Sequence, residues 1–182
     1  MTVKSPGLIL ALLLMATPAF AHVTLEGREA AVGSPYKAVF VVPHGCAGSA
    51  TIRLRVRIPP GVIATEAKAP SGWQVRTVTG KYAGEYDFQG KKVAEGITEV
   101  DWTGGNLPDK TRETFVVETF LTGSLKPNTT LYFPTVQECE QGVTRWIEIP
   151  AEGEHSHEGS AHSHDSHEGR SPAPGVKLLP AP

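Results

Sequence analysis

Methionine is missing from everything after Met15, which excludes a thioether-rich soft-metal site from the rest of the chain. Cysteine is nearly missing as well. Cys46 and Cys139 are the only two; in an oxidising compartment an even count points to one disulfide, the competing reading being a thiolate pair that holds Cu(I). No apolar run approaches the roughly 20 residues that cross a bilayer, because the run Leu8 to Met15 gives way to small residues and Pro18. Neither sign of charge dominates: 17 basic residues stand against 19 acidic ones. The basic residues are scattered or alternate along the chain, so no nucleic-acid surface is expected. The 3 tryptophans and 4 tyrosines show no grouping that would lie along a polymer.

What is present begins with an address. Lys4, the run Leu8 to Met15 and Ala19-Phe20-Ala21 supply, in order, the charged, apolar and cleavage parts of a secretory signal peptide over residues 1–21. Cleavage after Ala21 yields a periplasmic or secreted protein, free of the membrane, that starts at His22. The α-amine and Nδ1 of an N-terminal histidine close a six-membered chelate ring on one ion, half of a histidine brace, and nitrogen donors in a tetragonal array suit Cu(II). An α-amine has an ordinary pKa of about 7.7 to 8.0. The metal must therefore displace a proton, and binding weakens in acid. The plain alternative is that some residue has to come first.

Residues 22–182 are enough for one domain with a core, and 19 glycines with 15 prolines point to many turns. In Thr51 to Ile58, Ile52, Leu54, Val56 and Ile58 alternate with Arg53, Arg55 and Arg57, the period of a half-buried strand. Further strands are expected at Tyr36 to Val42, Trp73 to Thr79, Thr98 to Thr103, Thr114 to Leu121, Thr130 to Val136 and Arg145 to Ile149. Turns are expected at Gly104-Gly105-Asn106, Lys126-Pro127-Asn128 and Gln141-Gly142. Some seven short strands without a convincing amphipathic helix predict an all-β fold, an immunoglobulin-like antiparallel β-sandwich over residues 22–150.

After Pro150 the composition changes. Residues 151–182 carry His155, His157, His162, His164 and His167, five of the seven histidines, with almost nothing apolar before Val176. Such a stretch is expected to be a disordered tail. A His, Glu and Asp tract gathers Cu(II), Zn(II) or Ni(II) loosely; the other reading is a solubilising tail.

His22-Val23-Thr24-Leu25, Gly33-Ser34, Pro43-His44-Gly45-Cys46, Pro70-Ser71-Gly72-Trp73, Leu131 to Cys139 and Arg145 to Pro150 together resemble the YcnI-type copper-binding domain, in its proteobacterial branch. The resemblance implies an exported β-sandwich whose N-terminal histidine chelates Cu(II) for acquisition or trafficking, alongside other periplasmic copper chaperones. It implies His22 as the chelating residue and Trp146 as a tryptophan beside the ion, the alternative for Trp146 being ordinary core packing. Where the better-known branch has a glutamate, this chain reads Pro43-His44-Gly45-Cys46. His44 is then the expected further ligand, with Glu29 the leading carboxylate alternative. A Cys46–Cys139 disulfide would tie the His44 loop to the strand end preceding Trp146.

Three function classes follow: a non-enzymatic Cu(II) carrier or buffer, a copper enzyme of oxidative histidine-brace type, and an interaction module in which metal is incidental.

Overall fold

The structure is a computed structural model that describes residues 22–150 and 171–182. Its strands are β1 (Thr24–Leu25), β2 (Glu29–Ala31), β3 (Ser34–Val42), β4 (Thr51–Arg57), β5 (Val62–Lys68), β6 (Gln74–Phe88), β7 (Lys91–Leu107), β8 (Glu113–Leu121), β9 (Thr130–Tyr132), β10 (Thr135–Cys139), β11 (Val143–Trp146) and β12 (Gly175–Leu179). No helix is found among the described residues, and the all-β expectation holds.

Two faces close on each other around one core. β1, β3, β8 and β5 form one half of a nine-stranded sheet; β7, β4, β10 and β11 form the other, with β6 paired to β7. The halves meet through a single β5–β7 pair, Ala64 opposite Ile97, and that sparse junction lets the sheet fold over. Phe40 of β3 then packs against Trp102 of β7 at 6.4 Å between ring centroids, and Phe115 of β8 against Trp102 at 5.4 Å. A small second sheet, β2-β12-β9, closes one side.

The alternation read in β4 is present with one displacement. Leu54, Val56 and Ile58 are buried, but Ile52 is exposed and Thr51 takes the inward place. Register shifts between Thr51 and Arg53 on β4, and between Glu138 and Cys139 on β10, account for it, since one extra residue flips the side chains beyond it. Outside, Arg53 makes a two-pronged contact with Asp101 at 2.7 and 2.8 Å, while Arg55 reaches Glu138 at 2.5 Å.

Three expectations are corrected. Gly104-Gly105-Asn106 is not a turn between strands but part of β7: a Cβ at Gly105 would fall 2.2 Å from the Trp73 ring, so glycine there lets the indole cross the strand. β5 and the distal parts of β6 and β7 add strands where none were expected. Finally, residues 171–182 are not a disordered tail. Gly175–Leu179 forms β12, parallel to β2 and antiparallel to β9, and Val176 and Leu178 are buried in the core. These buried side chains anchor the end of the chain, so the domain does not end at Pro150. Glu148 and Ala173 are hydrogen-bonded at 2.9 Å, with Pro172 bridged to Glu148, so the chain on either side of 151–170 is held together. The five histidines of 155–167 lie outside the described residues.

Candidate metal centre

Burial of alternate residues fixes where His22 sits. Val23 and Leu25 are buried in the core, while Thr24 and Leu25 of β1 pair with Val41 and Phe40 of β3. The pair is antiparallel, so His22, two residues before β1, lies at the end of β3 that runs into the Pro43-His44 loop. β1 and β11 lie at opposite ends of the strand order, yet the folding-over of the sheet brings them together. The His22 imidazole stands 5.1 Å from the Trp146 ring, tilted by 60°. His22 and Trp146 thus meet at the seam of the curled sheet, where Trp146 is a buried core residue that flanks His22.

His44 follows β3 in a loop that is fastened at several points. Its Nδ1 lies 2.5 Å from the Gly45 carbonyl oxygen, which can only accept, so Nδ1 carries the proton in that contact. The Nε2 lone pair is left to act as a ligand. The Gly45 amide donates to Asp109 Oδ1 at 3.2 Å. Cys46 and Ser49 exchange two backbone hydrogen bonds, 2.9 and 3.0 Å, across a tight turn with positive φ at Ala47 and Gly48. Gly45 has no room for a side chain, because a Cβ would lie 1.8 Å from the Ser49 oxygen. The expected disulfide is there: Cys46 is bonded to Cys139, with 5.9 Å between Cα atoms. The thiolate-pair reading falls with it, as no free cysteine remains.

One buried residue that sequence reasoning passed over joins these parts. Gln137 of β10 donates from Nε2 to the His44 carbonyl oxygen and to Thr51 Oγ1, both at 2.8 Å. Its Oε1 accepts from Trp146 Nε1 at 3.1 Å. The available signal was a polar residue in the inward phase of a strand, with Thr135 and Cys139 sharing its face.

Glu29, the carboxylate alternative, has a partner of its own. It lies in β2, in register with Lys177 of β12, and its carboxylate pairs with that ammonium at 3.1 Å. The carboxylate at the His44 loop is Asp109, another residue the sequence did not single out. Among the described residues no group of three or more His, Cys, Asp or Glu side chains is arranged to hold a metal. What the geometry offers is the His22 imidazole beside Trp146, just before β1, where cleavage after Ala21 would make it the chain start, and the His44 imidazole in the loop after β3, the strand paired with β1. That donor set, nitrogen-rich and open, fits Cu(II).

The profile of a family described as "Domain of unknown function (DUF1775)" matches residues 22–178. The chain belongs to this family. It is the family to which the YcnI-type resemblance points, and the match runs through β12, in accord with a domain that reaches past Pro150. Among solved structures, the chain is similar to an uncharacterized protein from Nocardia farcinica whose crystal structure is described as revealing an immunoglobulin-like fold. The likeness has a TM-score of 0.58 at 24% identity and covers 87% of this chain and 99% of that one. The immunoglobulin-like class is thereby shown. No curated protein matches the chain. No helix among the described residues is long and apolar enough to cross a membrane.

Proposed function

We propose that this DUF1775 chain is an exported, periplasmic Cu(II)-binding protein, not an enzyme, that carries or buffers copper and exchanges it with another periplasmic copper chaperone. The observation that carries the reading is the placement of His22 against Trp146, at the seam of the sheet, just before the strand that pairs with β3, from which the His44 loop follows. Signal cleavage after Ala21 exposes the His22 amine beside its imidazole, and His44 Nε2 supplies a third nitrogen. Val23 and Leu25 hold the chain start against the core, so little ordering is left to be done on binding. Trp146 flanks His22, which is itself only half-buried. The disulfide supports export, since such bonds persist in oxidising compartments.

The histidines at 155, 157, 162, 164 and 167 would collect ions for this site. The stretch that bears them leaves and rejoins the domain beside Glu148, two residues from Trp146.

The test uses protein verified by mass to begin at His22, with those five histidines replaced by Ser and the remainder of the chain intact. Calorimetric titration with Cu(II) is expected to show one tight site that His22→Ala abolishes and that an added residue before His22 also abolishes. Unchanged tight binding by His22→Ala would end the proposal.

A further inference from the structure

We propose that Gln137 is the positioning residue of this copper site: it sets the indole that flanks His22 and the backbone that bears His44 from one buried carboxamide. The inference rests on the copper-binding reading above and deepens it.

The orientation of the carboxamide follows from its partners. An indole N–H can only donate, so the atom facing Trp146 must be Oε1; a backbone carbonyl can only accept, so the atom facing His44 must be Nε2. Both N–H groups of Nε2 are then used, one on the His44 carbonyl and one on Thr51 Oγ1, each at 2.8 Å. A flipped amide would set N–H against N–H and oxygen against oxygen. Gln137 is 2% exposed, so water cannot substitute for a lost partner, and each bond is costly to leave unmade. The disulfide at Cys139, two residues on, fixes the same strand to the same loop. Movement of β10 relative to β3 would therefore shift the Trp146 ring and His44 together.

Gln137 touches neither imidazole, so its effect on copper has to pass through the Trp146 indole and the His44 backbone. Removing it leaves His22 and its amine as donors but releases His44. Gln137→Leu, matched in size and without polar atoms, is expected to weaken Cu(II) binding by about 10- to 100-fold, the range for lost outer partners of metal ligands. Its electron paramagnetic resonance spectrum should lose one coupled nitrogen. In a His44→Ala background the same substitution should change affinity by clearly less than it does in the parent, because only the route through Trp146 is left.

Parent-like affinity and spectrum in Gln137→Leu, with His22→Ala still abolishing binding, would overturn the positioning role and leave the copper reading standing. Loss of the effect of His22→Ala removes both. If Gln137→Leu does not fold, the parent protein answers by nuclear magnetic resonance. Substoichiometric Cu(II) should broaden the Trp146 indole and Gln137 carboxamide signals before those of Trp73 and Trp102, and the reverse order refutes the inference.

Discussion

Tyr36 shows how one side chain can steady a whole chain end. Its hydroxyl donates to the Gly27 carbonyl at 2.6 Å, fastening the segment between β1 and β2 onto β3. Burial raises its phenol well above the ordinary value of 10.0. Below about pH 10 the phenol is protonated in both the folded and unfolded chain. As the pH rises past that point the unfolded chain releases a proton that the folded chain keeps, so stability falls with rising pH. Urea midpoints should be level near neutrality and decline above about pH 10, and Tyr36→Phe should make the decline shallower. Tyr82, also raised by burial and then by Tyr86, leaves a residual slope. At this scale the sequence exposed ligand chemistry better than support. His22 and His44 stood out as candidates because an imidazole can ligate a metal through its own atoms, whatever its neighbours. Gln137 and Asp109 were not, because a glutamine or aspartate means something only once its neighbours are known.

At the scale of elements, β12 decides the most. Val176 and Leu178 alternate inward over only five residues, and they bury because β2 and β9 flank them, one parallel and one antiparallel. Leu178→Ala should cost about 2 to 5 kcal/mol, read as a lower denaturation midpoint with an unchanged slope. A chain ended at Pro150 loses the strand entirely and should not fold cooperatively. Studies of the metal site must therefore replace the histidines of 155–167 and leave the chain beyond them in place. Composition marked 151–182 as one polar unit, since a short strand borrowed by a distant sheet leaves no long periodic signal. β4 was legible because it carries its alternation over seven residues; the extended β6 and β7 were hidden by Gly80 and Gly84 in the one and Gly96 in the other.

For the molecule as a whole, the Cys46–Cys139 bond spans 93 residues. In the loop-entropy account a closure of that length stabilises by up to about 4 to 5 kcal/mol, and removal of native disulfides commonly costs about 2 to 5. A Cys46→Ser/Cys139→Ser variant should melt at lower temperature and, with the His44 loop freed, bind Cu(II) more weakly; a variant that melts lower yet binds copper as before would show that Gln137 suffices to hold the loop. By itself the sequence determined the all-β class, the pairing of its only two cysteines and the residues with ligand chemistry, since each follows from local pattern, count or side-chain type. Only the tertiary structure decided that β12 belongs to the domain, that Glu29 answers Lys177, and that His22 meets Trp146. Those depend on which strands become neighbours when the sheet folds over, and contacts between the two ends of a strand order are a property of closure, which no local pattern encodes.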